Sequence, residues 1–265
     1  MATVKEIYNY INELAPFRLQ MSFDNAGFLV GRGEREVTSI LVSLDVTEPV
    51  AREAAERGCQ LVVAHHPVIF DPARSVTDET VTGRTLLALT EQGIAAICAH
   101  TNLDAVAGGV NDCLAQALGL TAVSQLHPDG VDDHGAAYGI GRVGAAHQSG
   151  LSAAQYAAFV KERLSAASVR FVDTGRPVER VAVGGGSCGS MLADAAAAGC
   201  DTFVTADVKH SQYLEARAMG INLMDAGHYA TENVVCGPLA RQLAQRFPQL
   251  RVLGSQVHHE PYSEA

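Results

Sequence analysis

Two successive histidines, His65 and His66, close an apolar run and precede a proline in LVVAHHPVIF. A second apolar run, residues 96–99, leads into HTNLD and brings Asp104. Near the C-terminus, INLMDAGHYATE carries His228 and Glu232, four residues apart. Imidazole and carboxylate are the ligand types that borderline divalent cations accept. A histidine pair alone is commonly structural; three segments that each end in such groups point to metal binding. His65, His66, Asp104, His228 and Glu232 outnumber the ligands one tetrahedral ion needs. They suit two ions bridged by a carboxylate, Asp104 or Glu232, and a water. Such a pair makes hydroxide available at neutral pH and holds a substrate oxygen.

These side chains need elements that carry them to one place. The run Leu61–Ala64 is short, β-branched and uninterrupted, which predicts a buried strand stopped by Pro67. Residues at the carboxyl end of such a strand face the crevice where α/β sheets place ligands. Neighbouring strand residues point to opposite faces, so both histidines serve one site only if the chain turns there. His228 and Glu232 share a face if a helix starts at that point.

Two segments match at a constant offset of 141 residues: SILVSLDVTEPVAREAAERGCQLVVAHH from Ser39 and RVAVGGGSCGSMLADAAAAGCDTFVTAD from Arg180. Each reads strand, loop, helix, glycine stop, strand. His66 then aligns with Asp207, and EQGIAAICAHTNLD parallels ARAMGINLMDAGHY. The expected fold is α/β, with two similar lobes from an internal duplication and the dinuclear site in the cleft between them. The expected lobes are residues 1–124 plus 226–265, and residues 125–225. The stretch from about 125 to 150, rich in Gly, Asp and His, reads as loop with a short strand pair and marks the border. Ser152 is a cap candidate for the helix LSAAQYAAFVKERLSA, and ENVVCGPLARQLAQRF is a further helix. The tail VHHEPYSEA reads as polar and loose.

The glycine loop at residues 184–189, GGGSCG, formally satisfies a dinucleotide fingerprint with Asp207 downstream. The short helix after it, and the lack of a counterpart in the first repeat copy, argue against that use. A phosphate cradle at a helix start stays open as a reading. No GK[ST] follows, so a Walker site is excluded.

The chain has 265 residues, 48% of them hydrophobic, with no Trp and a formal net charge of −10. That length supports a sizeable core, and the acidic balance argues against a general nucleic-acid binder. No apolar stretch reaches the length of a membrane span. MATVKEIYNYINELAPF reads as an amphipathic helix without the features of a signal peptide, so the expected location is the cytoplasm. The six cysteines form no CxxC pair and read as buried, reduced thiols.

Several pieces together resemble a known family, the GTP cyclohydrolase 1 type 2 proteins, also called dinuclear-metal-centre hexameric (Nif-three-like) proteins. The pieces are FDNAGFLVG (23–31), LDVTEPV (44–50), VVAHHPVIF (62–70), HTNLDAVAGGVND (100–112), GGGSCGSML from Gly184, TADVKHSQYLEA from Thr205 and DAGHYATE (225–232). They run in order over almost the whole chain. The resemblance implies two α/β lobes, a two-metal site and a toroidal homohexamer. It is to the family's short form, without the domain that longer members insert in the middle. Carried over by position, the ligands are His65, His66, Asp104, His228 and Glu232, the set already selected. Where members often read TGD or TGE, this chain has TAD at residues 205–207.

Around this set, Asp45 and Asp225 end strands and could orient a ligand histidine. Lys209 and His210 could bind phosphate or shuttle a proton, or simply open a solvated helix. Asp24 and Asn25 suit a turn. His258 and His259 look like a metal pair but lack carboxylate company beyond Glu260. The expected function is a dinuclear metal-dependent hydrolase of a nucleotide or related phosphorylated compound, GTP by the family's name. Glu232 and His210 are the candidate catalytic groups, and Zn, Mn, Fe, Co or Ni the candidate ions. The alternative is a non-catalytic ring that stores or delivers metal or docks a partner; a ring around nucleic acid fits the charge poorly, and no membrane partner is expected.

Overall fold

The computed structural model describes residues 1–132 and 135–263. The chain starts with β1 (Ala2–Thr3), α1 (Val4–Leu14), β2 (Gly27–Val30), β3 (Glu36–Val37), β4 (Ser39–Ser43) and α2 (Glu48–Glu56). It continues through β5 (Leu61–Ala64), α3 (Val81–Glu91), β6 (Ala95–Cys98) and α4 (Thr101–Ala105). Then come α5 (Val110–Ala117), β7 (Thr121–Gln125), β8 (Gly130–Val131), β9 (Ala137–Tyr138), β10 (Arg142–Ala145) and α6 (Ala153–Leu164). Next are β11 (Arg170–Phe171), β12 (Arg180–Val183), α7 (Leu192–Ala197), β13 (Thr202–Thr205), α8 (His210–Met219) and β14 (Asn222–Asp225). The chain ends with α9 (His228–Glu232), α10 (Cys236–Arg246) and β15 (Arg251–Gly254).

Two units divide these elements. The first comprises Met1–Leu103 and Cys236–His259, the second Asp104–Val235 and Glu260–Ala265. The boundary therefore falls inside α4 and not near residue 125. The reason is strand pairing: β7 pairs with β10 and β10 with β12, so β7 and β10 complete the second sheet. The strand pair read from residues 125–150 is present as β8 and β9; Asp133 and His134, between them, lie outside the described residues, as do the last two residues of the tail.

In the first unit the sheet order is β15-β4-β5-β6-β2, with β4, β5, β6 and β15 parallel and β2 antiparallel at the edge. Every residue of β4, β5 and β6 is buried, as expected for parallel strands covered on both faces. Leu41, Val62, Ala96, Val50, Ala54 and Leu89 belong to the core cluster that joins this sheet to α2 and α3. The helices start where the sequence offers caps. Thr47 accepts from Val50 N, Thr80 from Gly83 N, and Thr3 with Glu6 closes a capping box ahead of α1. Helix α1 buries Val4, Ile7 and Ile11, the amphipathic stripe legible in the sequence.

In the second unit the order is β11-β14-β13-β12-β10-β7, with β12, β13 and β14 parallel and β11 and β10 antiparallel to their neighbours. Four strands in this sheet follow the same order and sense as β2-β6-β5-β4. The registers also match: Ile40 pairs with Leu61 and Val181 with Thr202, each partner displaced by the same 141 residues. Gly58 and Gly199 both follow the corresponding helices with positive φ, +66° and +74°, the left-handed stop that glycine takes without strain. Ser152 and Gln155 cap α6 reciprocally. The six cysteines are all free thiols. Among the described residues, no helix is long and apolar enough to cross a membrane.

Candidate metal centre

Strand β5 ends at Ala64, and the next two backbone N–H groups, of His65 and His66, both donate to the carbonyl of Leu44 at 3.1 and 2.8 Å. Two successive donors on one acceptor break the strand's alternation. Both rings therefore lie together, with centroids 5.0 Å apart. His100, just past the end of β6, brings a third ring, 5.1 Å from His65 and 5.5 Å from His66. One nitrogen from each of the three rings lies within 4.8 Å of the others.

The other ring nitrogen of each is anchored. His65 Nδ1 donates to the carbonyl of Ala99 (2.8 Å), His66 Nδ1 to Asp45 (2.7 Å) and His100 Nδ1 to Asp24 (2.8 Å). A proton held on Nδ1 leaves the lone pair on Nε2, the tautomer a metal needs. Burial raises the carboxyl pKa of Asp24, but hydrogen bonds from His100 and Thr101 outweigh it and bring it down to about 2. Asp45 is likewise pushed up by burial and held well below the carboxylate range by His258 and His66.

In the second unit, His228 and Glu232 sit one turn apart on α9, with His228 Nε2 2.9 Å from Glu232 Oε2. His228 Nδ1 donates to Asp207 at 2.7 Å, repeating the pattern of the first unit. Asp207 holds φ +51°, a left-handed backbone that Asp tolerates better than most residues. Glu232 and Asp104 are buried, and a carboxylate oxygen of one lies within 4.8 Å of one of the other. Burial and these two carboxylates raise the thiol pKa of Cys188.

The glycine loop lies against this set. Gly185 N donates to Asn111 Oδ1 (2.9 Å) and Gly186 N to Thr231 Oγ1 (3.0 Å), while Gly184 N and Cys188 N bond to Val204 O and Gly186 O. Those donors are spent within the unit, so this loop does not present them to a phosphate or a dinucleotide. A Cβ on Gly186, at φ +64°, would collide with the Glu232 carboxylate. The glycines let the backbone approach a candidate ligand.

The five residues selected from the sequence thus fall into two sets, His65 and His66 in the first unit and Asp104, His228 and Glu232 in the second. His100 joins the first set and was missed. Its signal was present: His100–Asp104 has the same four-residue spacing as His228–Glu232, with His100 immediately before the helix at Thr101–Ala105. Asp24, read as a turn residue, holds His100 and the backbone N–H of Thr101 (3.0 Å). Asn25 donates to the carbonyl of Ile69 at 2.6 Å, tying its loop to the turn after the histidine pair. Asp45 orients a candidate ligand histidine, His66. Asp225 does not: it accepts from Arg170, Tyr213 and Val208 N, and Asp207 serves His228 instead. His210 is exposed at the first residue of α8, outside both sets. The donor chemistry fits divalent ions: neutral imidazoles of fixed tautomer in one unit, buried carboxylates with a histidine in the other.

Residues 2–261 match the model of the DUF34/NIF3 (NGG1p interacting factor 3) family. A Clostridium perfringens protein called GTP cyclohydrolase 1 type 2 homolog is 32% identical over 244 residues, covering 92% of each chain. A Streptomyces coelicolor protein of the same name is 37% identical over 247 residues, covering 92% of this chain and 86% of the other. Among solved structures, a hypothetical protein of Staphylococcus aureus superposes with a TM-score of 0.93 at 28% identity, covering 99% of both chains. A Bacillus cereus protein related to NIF3 shares the fold, with a TM-score of 0.94 at 23% identity, covering 100% of this chain and 99% of the other. On the family model and these relatives, the chain belongs to the DUF34/NIF3 family.

Proposed function

We propose that the two ligand sets serve one dinuclear metal centre, and that the protein is a metal-dependent hydrolase of a nucleotide or related phosphorylated compound, with GTP the first candidate. His65, His66, His100, Asp104, His228 and Glu232 would hold two divalent ions drawn from Zn, Mn, Fe, Co and Ni. The observation that carries the reading is the anchoring of Nδ1 on all four imidazoles, three by carboxylates and one by a carbonyl. Histidines serving only a fold have no need of one common tautomer. When bound, the ions supply Lewis acidity and lower the pKa of water for hydrolysis.

The chain's own residues do the rest. Asp24, Asp45 and Asp207 hold the imidazole planes. Glu232 would hold an ion together with Asp104 and His228; His210, exposed at the first residue of α8, stands outside both ligand sets. Phe23 and Phe70 are exposed, with ring centroids 6.4 Å apart, and Phe70 stands 6.1 Å from His100. Exposed rings beside the histidines support a substrate with a flat heteroaromatic ring, because stacking is worth about 1–3 kcal/mol per base.

The family likeness supports a toroidal homohexamer of this chain. Six free thiols support a reducing, cytoplasmic setting. The shared strand order and register of the two units support an internal duplication.

The test is metal content and GTP turnover on one preparation, wild type beside Glu232→Gln, with defined added metal. Stoichiometric metal with metal-dependent loss of GTP, abolished in the variant, is the expected result. Stoichiometric metal without turnover would replace GTP by another substrate or leave a storage or docking role. No metal under any loading condition would overturn the reading.

A further inference from the structure

The C-terminal segment reads as a loose polar tail, yet it ends on the partner of a ligand histidine. After β15, Ser255 N donates to the carbonyl of Val42 at 2.8 Å. Ser255 Oγ donates to Glu53 Oε2 (2.6 Å) and Gln256 N to Glu53 Oε1 (2.9 Å). Glu53 is itself buried on α2 and paired with Arg57. These bonds deliver His258, whose side chain is 8% exposed, to Asp45: Nε2 lies 2.6 Å from Oδ2. The other oxygen of the same carboxylate, Oδ1, takes the proton of His66 Nδ1 at 2.7 Å.

We propose that His258 is a positioning residue for the metal centre, acting on His66 through Asp45. The inference rests on the reading of His66 as a metal ligand. Asp45 follows β4 in a half-buried position, and a carboxylate held by one bond can rotate about its Cβ–Cγ axis. With both oxygens engaged, one by His258 and one by His66, the carboxylate plane is fixed and so is the plane of the His66 ring. Outer partners of this kind orient a ligand and raise its basicity, and their loss typically costs 10–100-fold in metal affinity. His258 is one step further out, so the expected loss is at the low end. His259, its neighbour, is exposed and bonds only locally to the carbonyl of Val257. The pair is therefore divided between an anchored residue and a solvated one.

The experiment is a titration of the full chain, stripped of metal, with cobalt(II) against a competing chelator, read by visible absorption. His258→Ala, His258→Gln, His259→Ala and His66→Ala are compared with wild type. Expected are about tenfold weaker cobalt binding and an altered d–d spectrum in His258→Ala, with recovery in His258→Gln, which keeps an N–H donor. His259→Ala should match wild type. Should His258→Ala lower the melting temperature, His258→Phe fills the same volume without a donor and carries the comparison against His258→Gln. Loss of cobalt in His66→Ala with wild-type affinity and spectrum in His258→Ala would overturn this inference and leave the metal reading intact. Wild-type cobalt binding in His66→Ala would overturn the assignment of His66, and this inference with it.

Discussion

At Gly186 a single methyl group decides whether Glu232 keeps its place. The position has a left-handed φ and no room for a Cβ beside the Glu232 carboxylate, and His228 is within 3.3 Å of where that Cβ would lie. Gly186→Ala therefore strains the backbone and displaces the carboxylate. The expected result is loss of metal affinity by about tenfold or more, the scale on which disturbed supporting groups act, read by chelator competition. An unchanged affinity would mean that Glu232 is not a ligand. The same scale explains why four imidazoles are usable at all. Each has a different Nδ1 acceptor, and three of those acceptors are aspartates placed 21, 76 and 21 residues away in sequence from His66, His100 and His228.

Elements place these residues through a few buried polar ties. Asn111, on α5, is fully buried; its Nδ2 donates to the carbonyl of Asp104 (3.0 Å) and its Oδ1 accepts from Gly185 N (2.9 Å). It joins the end of α4 to the glycine loop. Removing the amide leaves a buried N–H and a buried carbonyl without this partner, each costing about 1–3 kcal/mol. Asn111→Ala should destabilise the chain by about 2–6 kcal/mol, measured by urea unfolding; a loss below about 0.5 kcal/mol, the scale of a surface change, would show that water replaces it. Glu53 ties α2 to the C-terminal segment. Burial raises its carboxyl pKa, and the bonds from Ser255, Gln256 and Arg57 outweigh this and lower it. A depressed folded pKa contributes stability that is present above the ordinary glutamate range and fades as pH falls through and below it. The melting temperature of Glu53→Gln should therefore lie below wild type at pH 7 and converge with it below about pH 4. Parallel curves down to acid would assign Glu53 a packing role alone.

For the whole molecule, a bound metal would act as a fold ligand. It stabilises the folded chain by mass action, about 2.7 kcal/mol at a hundred times the dissociation constant. For a chain of this length, each kcal/mol moves the melting temperature by about 2–4 °C. Stripping with a chelator should lower the melting temperature and re-addition of one ion should restore it; coincident thermal scans would argue against a folded-state site. Short, largely apolar runs with histidine or carboxylate at their carboxyl ends appear at residues 61–66 and 222–228, and the chain folds them as parallel strands. Local patterns suffice there, because hydrophobic period, caps and glycine stops act within a few residues. The repeat at offset 141 was legible for the same reason, and it returns as a common strand order and register. Which aspartate serves which histidine is set by long-range packing and is not written in local patterns. Asp24 meets His100 across 76 residues and His258 meets Asp45 across 213. Sheet pairing, not spacing, sets such distances, so a turn-type Asp and a tail histidine look alike in sequence whether or not they end beside a ligand. The unit boundary was hidden likewise: β7 and β10 belong with the second sheet because β10 pairs with both β7 and β12, a long-range choice that no loop composition announces.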